Sequence, residues 1–575
     1  MTKPTVGVRA AATVTMLPLL FILGACTAAP ASTVATDTDS VTHDQNERVP
    51  EDAAWTQHYF PSSDGSDVEL HADVLLPEDL AEGEEVPVIL SVGSYFAHAG
   101  EIGVEDWKNA GPSTRFSDLV EGTDLFNRGY ALVQVDLRGY GGSSGCQDFM
   151  GQGEQADVAA AIDWVSQQSW STGDVGMYGK SYDAITGLVG NNLNNDALKA
   201  VVAQEPMWDL SRSMRSNGVP RSPIVDSSRS YNDAAAIPAL PDDDDRYTAN
   251  SASAEETADA TCALLNSISY RIADPQSDFW TARNLAEQAT GTDTPLFITQ
   301  GFLENVTAPE AFEQFLTNHD GQQRGWLGPW GHVRGNQLTV DGKQLEMGRE
   351  GWFDETMSFF DEHLKGIEPT TEYPAFAVQD NSGLWRAQDT WPVVDSNATI
   401  ALGGGSYLDD GAEGDPAVDT GNSFIQQSEP VTTATRITGT PRVSLTAGQS
   451  GNVMVNLFDV APDGSVVLFD EQVAAINPGE SNFELKSTDW TLAPGHALAV
   501  KIGTIESSIL NNWIATPSNQ TIEITDAQLD LALDDPSNDV ATPGDRAPYL
   551  DTFTSTTVQQ GVIGAPTFTV PAAGS

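Results

Sequence analysis

Runs of apolar residues bounded by turn residues recur along the first part of the chain. VPVILSVG (86–93) and YALVQVDLRG (130–139) are almost continuously apolar, which is typical of strands buried on both faces of a mostly parallel sheet. Four shorter strand-then-loop segments follow: DVGMYG (174–179), LKAVVAQEP (198–206), TPLFITQG (294–301) and RGWLGPWGH (324–332). A helical pattern at 154–168 precedes them, with Val158, Ile162 and Val165 on one face. This alternation predicts an α/β sheet with crossover connections.

The pattern changes twice. Residues 207–290 are polar and contain no clear strand, so we predict an insert that lies as a cap over the strand ends of an α/β domain formed by 53–206 and 291–370. After a helical pattern at 351–365, period-2 alternation and a hairpin signal, PDGS at 462–465, predict an all-β sandwich over 371–575.

The N-terminus has the features of a targeting segment. Lys3 and Arg9 precede an apolar stretch that is too short for a good membrane span and ends in LGAC (23–26). This ending resembles the lipobox of bacterial lipoproteins, so residues 1–25 are predicted to be a signal peptide and Cys26 the lipidated residue. An ordinary secretory signal cleaved nearby is the alternative. Residues 26–52 read as a flexible tether, and the protein is expected to be exported, either at the cell surface or extracellular.

The net charge and the number of cysteines limit the kinds of molecule that the protein is expected to bind. The chain carries 82 acidic and 27 basic residues, a net charge of −55, which repels nucleic acid and anionic lipid. We therefore expect no nucleic-acid partner, and membrane contact only through the lipid anchor. Three cysteines exclude a cysteine-type zinc cluster, and we expect no metal and no cofactor. Once Cys26 is lipidated, Cys146 and Cys262 are predicted to form a disulfide in the oxidising compartment.

Three residues in strand-end positions suggest nucleophilic catalysis. A serine hydroxyl needs a base, an acid that orients the base, and donors for the oxyanion. Ser181 in GKSYDA, Glu304 in QGFLEN and His332 in GPWGH each follow a predicted strand, in the chain order of α/β-hydrolases. The alternatives are a solvated loop carboxylate for Glu304 and a core histidine for His332; Asn305 and Glu313 rank below Glu304 as the acid.

These motifs, together with DLRGYGGSSG (136–145), resemble the X-prolyl dipeptidyl-peptidase and cocaine esterase (CocE/NonD) family of serine hydrolases. The resemblance implies an α/β-hydrolase domain with a helical cap insert, followed by a jelly-roll (galactose-binding-like) domain of mainly structural role. It implies Ser181 as nucleophile, His332 as base and Glu304 as acid, where the family more often has Asp. The usual elbow G-x-S-x-G reads here G-K-S-Y-D and then Ala184, whose extra methyl group is predicted to leave the elbow functional.

The resemblance also implies an oxyanion site and a pocket. Tyr95 in SVGSYFAH is implied to donate its hydroxyl beside the backbone N–H of Tyr182; the alternative for Tyr95 is packing. In QEPMWDLSRSM (204–214), Glu205 is a candidate to bind an N-terminal amine and Trp208 a proline or acyl group. Anchoring of the insert is the alternative for both.

The sequence therefore predicts an extracellular serine hydrolase that acts through a Ser-Glu-His triad and an acyl-enzyme on a peptide or small-molecule substrate. An Xaa-Pro dipeptidyl-peptidase-like activity is the first expectation, and an esterase or amidase of cocaine-esterase or acylase type is the second. A non-enzymatic surface binding protein with an inactive hydrolase scaffold is the alternative from another class.

Overall fold

A sheet of twelve strands organises the first part of the protein. The computed structural model describes residues 41–42, 47–221, 231–257, 262–411, 422–506, 513–557, 559–560 and 565–574. The predicted signal peptide, the lipidation site Cys26 and most of the predicted tether lie outside these residues.

The strands that form the first sheet are β1 (Val41–Thr42), β2 (Ala53–Pro61), β3 (Glu69–Pro77), β4 (Val86–Gly93), β5 (Ala131–Asp136), β6 (Ser171–Lys180), β7 (Leu198–Gln204), β8 (Leu296–Gly301), β9 (Gln323–Gly328), β10 (Phe376–Gln379), β11 (Trp385–Gln388) and β22 (Val540–Ala541). Their order is β1-β2-β3-β5-β4-β6-β7-β8-β9-β10-β11-β22. From β5 to β10 all neighbours are parallel, and the pairs at both flanks are antiparallel, so the sheet is mixed.

Helices cover both faces of this sheet. They are α1 (Ser117–Thr123), α2 (Gln152–Ser166), α3 (Tyr182–Asn192), α9 (Phe312–Asn318) and α10 (Trp352–Lys365). Alternate residues of β4 enter different cores: Val88 and Leu90 pack with residues of α2 and α3, whereas Ile89 packs with residues of α1 and α10. A strand buried on both faces has few polar positions, which explains the continuous apolar run at 86–93.

Between β7 and β8 the chain forms a helical insert. Its helices are α4 (Leu210–Met214), α5 (Asp245–Thr257), α6 (Ala263–Ser269), α7 (Asp278–Thr281) and α8 (Leu285–Gln288), with a 3₁₀ turn at Ser216–Gly218 and a helical stretch at 231–235. A disulfide joins Cys146, in the loop after β5, to Cys262 at the start of α6, with their Cα atoms 5.6 Å apart. The predicted pair is therefore brought together, and the bond ties the insert to the sheet.

Two all-β sheets make up the C-terminal part. The first contains β12 (Ser396–Ala401), β13 (Gly405–Leu408), β15 (Thr435–Ala447), β18 (Gly479–Glu484), β19 (Thr488–Leu492) and β21 (Thr521–Asp534). The second contains β14 (Ser423–Gln427), β16 (Gly451–Val460), β17 (Ser465–Ile476), β20 (Ala497–Gly503) and β23 (Gln559–Gln560), and a helix, α11 (Pro548–Thr557), precedes β23. Inward-facing residues of both sheets share one core, as the period-2 pattern predicts.

The boundary predicted between residues 370 and 371 differs from the observed arrangement. β10 continues the first sheet in parallel with β9, and β11 and β22 extend it further. The residues after β22 also return to this sheet, where the Gln379 side chain bonds the backbone of Asp545 and Ala547 at 2.7 and 3.0 Å. Short strands such as β10 carry too few residues to show which sheet they join.

Among the residues that the structure describes, no helix combines the length and the apolar composition needed to cross a bilayer.

Candidate active site

Ser181 occupies a strained turn between β6 and α3. Its backbone has φ 64° and ψ −121°, a conformation that L-residues adopt rarely and that the surrounding structure must enforce. The Ser181 N–H donates to the carbonyl of Gln204 at 2.9 Å, which fixes the turn to the end of β7. A Cβ on Gly179 would overlap the backbone carbonyl of Asp183, so the glycine before the nucleophile is required by space. The geometry is that of a nucleophile elbow.

The fifth position of the elbow pattern is occupied by Asp183 instead of glycine. Its buried carboxylate lies where a Cβ on Gly93 would stand and accepts a hydrogen bond from Arg115 Nε. Burial raises the pKa of Asp183 to about 6, although the positive charge of Arg115 opposes the shift. Ala184 is fully buried in α3, so its methyl group fits within the packing of this helix. The departure from G-x-S-x-G is thus absorbed by Gly93 and Arg115.

Glu304 and His332 form a close pair at the ends of β8 and β9. His332 Nδ1 lies 3.0 Å from Glu304 Oε1; the carboxylate is fully buried and the imidazole is 16% exposed. The backbone N–H groups of Val306 and Thr307 donate to Glu304 at 2.8 to 3.0 Å, the Thr307 hydroxyl at 2.9 Å, and the Ala308 N–H also donates. Burial acts to raise the pKa of Glu304, but the His332 contact and these donors outweigh it and lower the pKa to about 2. Glu304 is therefore ionised and held in one orientation.

Gln204 brings the loop of His332 to the elbow. While its carbonyl accepts from Ser181, its side-chain Oε1 accepts from the Gly335 N–H at 2.9 Å. Because β6 to β9 are parallel, Ser181, Glu304 and His332 all lie at the carboxyl edge of the sheet. On the other side of the His332 loop, Tyr549 from the returning C-terminal segment packs beside Gly331.

Tyr95 and Tyr182 flank the nucleophile. The Tyr95 hydroxyl is within hydrogen-bonding reach of the Ser181 side chain and lies 2.7 Å from the Tyr231 hydroxyl. Burial raises the pKa of Tyr95, so its hydroxyl stays protonated and able to donate. Tyr182 begins α3, and the first N–H groups of a helix have no partner within that helix. The Tyr182 side chain points elsewhere, donating from its hydroxyl to Glu154. Two potential hydrogen-bond donors, the Tyr95 hydroxyl and the Tyr182 N–H, thus lie beside Ser181.

Arg115 is a site residue that the sequence reasoning missed. Its guanidinium stacks over the Tyr95 ring, 3.9 Å from the centroid, and donates to the Lys180 carbonyl at 2.9 Å as well as to Asp183. One side chain therefore contacts Tyr95 and both flanks of the elbow. Its segment, GPSTRFSD, contains no motif, so only its three-dimensional neighbours identify it.

The structure places Glu205 and Trp208, the two predicted substrate contacts, in the packed interior, where both side chains are fully buried. Glu205 accepts from the Gly301 N–H and from Trp330 Nε1, each at 2.9 Å, and so joins the ends of β8 and β9. Trp208 donates to Gln300 at 2.7 Å and packs against Phe312 and Phe315. Anchoring, the alternative that the sequence left open, fits both residues.

Glu205 also affects the electrostatics around Glu304. Burial, reinforced by the charge of Glu304, raises the pKa of Glu205 to about 8, although the Gly301 and Trp330 donors oppose the shift. Two neighbouring carboxyl groups thus have pKa values on opposite sides of neutrality. The arrangement leaves Glu304 as the ionised partner for His332.

Comparisons with known proteins agree with this geometry. The sequence model of the X-Pro dipeptidyl-peptidase (S15) family matches residues 64–334, from β3 to just past His332. A Streptomyces avermitilis protein with the provisional name Xaa-Pro dipeptidyl-peptidase is 24% identical over 377 residues, which cover 61% of this chain and 52% of the relative. The cocaine esterase of a Rhodococcus strain is 23% identical over 541 residues, 77% of this chain and 89% of the esterase. The family model and these relatives support the resemblance of the chain to the X-Pro dipeptidyl-peptidase and cocaine esterase family of serine hydrolases.

A solved structure supports the fold assignment. A CocE/NonD family hydrolase from Staphylococcus aureus superimposes with a TM-score of 0.59 at 15% identity, covering 84% of this chain and 94% of the hydrolase. At this identity the likeness establishes the α/β-hydrolase fold alone. The match also spans only about half the length of the Streptomyces relative.

Proposed function

We propose that the protein is an extracellular serine hydrolase that acts through Ser181, Glu304 and His332 and an acyl-enzyme. The observation that carries this proposal is the strained backbone of Ser181 at the same sheet edge as the His332–Glu304 pair, with Tyr95 in reach of the serine. Strain of this kind persists where the structure enforces it, and it recurs at active sites.

In the proposed reaction His332 accepts the Ser181 proton as the hydroxyl attacks the substrate carbonyl. The buried Glu304 carboxylate orients the imidazole and stabilises the imidazolium that forms. The Tyr95 hydroxyl and the Tyr182 N–H stabilise the oxyanion. His332 then donates the proton to the leaving amine or alcohol, and finally activates the water that hydrolyses the acyl-enzyme.

An Xaa-Pro dipeptidyl-peptidase-like activity is the first candidate, supported by the family model and by the names of relatives. A specific observation favours a second candidate, an esterase or amidase for small acyl groups. Burial of Glu205 removes the carboxylate that the sequence offered to an N-terminal amine. Neither candidate needs a different catalytic apparatus, because the difference lies in the pocket.

The finer architecture and the location are part of the same proposal. The helical insert acts as a cap, and the two C-terminal sheets form a jelly roll that supports the hydrolase domain. The cap reading is supported by a buried anchor, Trp208, and by the Cys146–Cys262 disulfide. The N-terminal motif supports export and lipidation of Cys26; if so, Cys26→Ala releases the protein into the medium or leaves the precursor unprocessed.

The test compares three substrates on the purified enzyme: an Ala-Pro anilide, a phenyl ester and a simple acyl anilide. We expect a fluorophosphonate probe to label the protein, and one substrate class to exceed the others by at least about tenfold in kcat/KM. A dipeptidyl-peptidase requires a free N-terminus, so the N-acetylated Ala-Pro anilide serves as the matched control. Absence of both labelling and turnover would instead support the binding-protein alternative.

A further inference from the structure

Behind the oxyanion loop lies a buried cluster of two histidines and a carboxylate. His71 and Asp73 lie on β3, and His98 lies in the loop after β4, three residues beyond Tyr95. Their side chains are 1%, 1% and 0% exposed. The catalytic residues described above do not include any of the three.

The potential ligand atoms converge. One ligand atom from each of the three side chains lies within 4.8 Å of the other two. His98 Nε2 is 3.2 Å from Asp73 Oδ2 and 3.3 Å from Oδ1, and His71 Nε2 is 3.8 Å from Asp73 Oδ1. Gln57 Oε1 lies 3.0 Å from His71 Nε2. Neighbouring ligand atoms on a tetrahedral zinc ion are about 3.3 Å apart, given bonds of roughly 2.0–2.1 Å. The distances from Asp73 to the two imidazoles, 3.2 to 3.8 Å, are close to this spacing.

The far nitrogen of each imidazole also has a carboxylate partner. His71 Nδ1 lies 2.9 Å from Asp136 Oδ2, and His98 Nδ1 lies 2.5 Å from Asp243 Oδ1. When Nδ1–H donates to a carboxylate, the lone pair of Nε2 is turned to the opposite side of the ring, here toward Asp73. Metal-binding histidines almost always have such outer partners, which fix the tautomer and increase the basicity of the ligand nitrogen.

The excess of negative charge around the cluster also favours a bound cation. Asp73, Asp136 and Asp243 bring three carboxylates into a buried region, and isolated buried charges are costly unless they are compensated. Arg48, which donates to the His98 carbonyl at 2.9 Å, supplies one positive charge. A divalent cation would supply the other two, and two protonated imidazoles would do the same, so the experiment must separate metal from protons.

We propose that His71 Nε2, His98 Nε2 and the Asp73 carboxylate bind a zinc-class divalent cation, with Gln57 Oε1 as a fourth ligand. Imidazole nitrogen combined with carboxylate oxygen suits Zn²⁺ better than Mg²⁺ or Ca²⁺. The expectation that the protein has no metal site rested on the absence of a cysteine cluster. The site proposed here uses histidine, carboxylate and amide ligands instead.

The proposed ion would be structural. It would join β2 and β3 to the loop that carries Tyr95, and through Asp243 it would reach the insert, where Tyr247 stacks on His98 with ring centroids 4.3 Å apart. With all four positions occupied by protein, no site remains for water or substrate. Its effect on turnover would therefore be indirect, through the position of Tyr95.

The experiment measures zinc directly. Full-length mature protein is stripped with a chelator, dialysed, incubated with ZnCl₂, freed of unbound metal by gel filtration and analysed for zinc by mass spectrometry. We expect one zinc per chain and an increase in Tm of about 2 °C or more over the stripped protein. A stoichiometry below about 0.1, with no change of Tm, would overturn the proposal and leave protonated imidazoles as the compensating charges.

Variants locate the ion. The double variant His71→Gln/His98→Gln should lose the bound zinc, whereas His319→Gln, a buried histidine beside Thr292, should retain it. Full zinc retention in the double variant would contradict the assignment. If the double variant does not fold, Co²⁺ added to stripped wild-type protein decides the question: strong visible bands of tetrahedral cobalt support the site, and the weak bands of octahedral cobalt contradict it.

Discussion

Both parts of the molecule contain a histidine whose Nδ1 faces a carboxylate. In the α/β part His332 lies 3.0 Å from Glu304, and in the all-β part His496 lies 2.7 Å from Asp459. Asp459 also accepts from Trp490 at 3.0 Å, so this carboxylate too is held in place. A histidine–carboxylate pair alone therefore does not mark an active site.

Backbone strain distinguishes the two regions. Of the ten non-glycine residues with positive φ among those described, nine lie before residue 371 and one, Asn519, lies in the all-β part. Ser181, Glu205 and Ala308 belong to this group, and they sit at the ends of β6 and β7 and in the loop after β8. Strained residues need surrounding structure that enforces them. In the α/β part, these three strained residues lie at the carboxyl edge of the sheet.

The largest effect is expected from the nucleophile. Ser181→Ala should lower kcat by about 10⁶-fold, because triad members act as a unit. Circular dichroism should show an unchanged fold, and Ser555→Ala, on the exposed side of α11, should keep full activity. An active Ser181→Ala variant would show that strain at this turn has another purpose.

Glu304→Gln tests the acid in the same pair. It should lower kcat by about 10⁴-fold, because an amide fails to stabilise the imidazolium and favours the wrong tautomer. Asp459→Asn, the matched change in the other pair, should leave kcat unchanged; equal losses in both variants would erase the distinction between the regions.

The same pair predicts an acid-dependent stability. The pKa of Glu304 is lowered from 4.5 to about 2. Its contribution to the free energy of unfolding is therefore present above pH 4.5 and is lost as the pH falls toward 2. Wild type should lose stability over this window more steeply than Glu304→Gln, as measured by Tm at each pH.

Tyr95→Phe should lower kcat by about 10²–10³-fold with little change in Tm, because one oxyanion donor is lost while the ring is kept. Measuring kcat, KM and Tm separates this role from packing. A loss of less than about threefold would assign Tyr95 to packing and would remove the tyrosine from the site.

Arg115→Lys should have a smaller effect, on the order of tenfold in kcat with KM nearly unchanged, because it displaces Tyr95 and the elbow without removing either. Lysine keeps the charge but loses the planar fork that reaches Tyr95, Lys180 and Asp183 together. The exposed Arg442, paired with Glu484, provides the control Arg442→Lys. If both variants have wild-type kcat, Arg115 is not a positioning residue.

The smallest effect concerns the non-catalytic pair. The hydrogen bond to Asp459 raises the pKa of His496 above 6.5, so its stabilisation is complete below pH 6.5 and disappears as the pH rises through the raised pKa. His496→Gln should cost less than about 1 kcal/mol at pH 5.5 and nothing at pH 9. A difference in the opposite direction, or any loss of activity, would contradict this interpretation.

The sequence predicts those features that depend on a local pattern of residues. The strands before Ser181, Glu304 and His332 were predicted from apolar runs, and parallel strands bring their carboxyl ends to one edge whatever the rest of the chain does. The disulfide partners were predicted from the number of cysteines and from the expected oxidising compartment.

The features that the sequence did not predict depend on packing between residues that are distant in the chain. Glu205 and Trp208 stand in a strand-end segment, but their burial is decided by Gly301, Trp330 and Phe312, which are distant in sequence. Arg115 lies outside every sequence motif, and only its contacts with Tyr95, Lys180 and Asp183, which are set by packing, identify it. The strands β10 and β11, which lie beyond the predicted boundary at residue 371, pair into the first sheet; each is only four residues long, and their partners β9 and β22 are distant in sequence.

The return of the C-terminal segment has a consequence for synthesis on the ribosome. The twelfth strand of the first sheet is β22, and Tyr549 packs beside the loop of His332. A nascent chain that has already exposed Ser181, Glu304 and His332 therefore still lacks the sheet's last strand until nearly all of it has been translated. Domains usually fold in order as they emerge, but here the first sheet keeps an open edge until β22 emerges, after every strand of the two all-β sheets except β23.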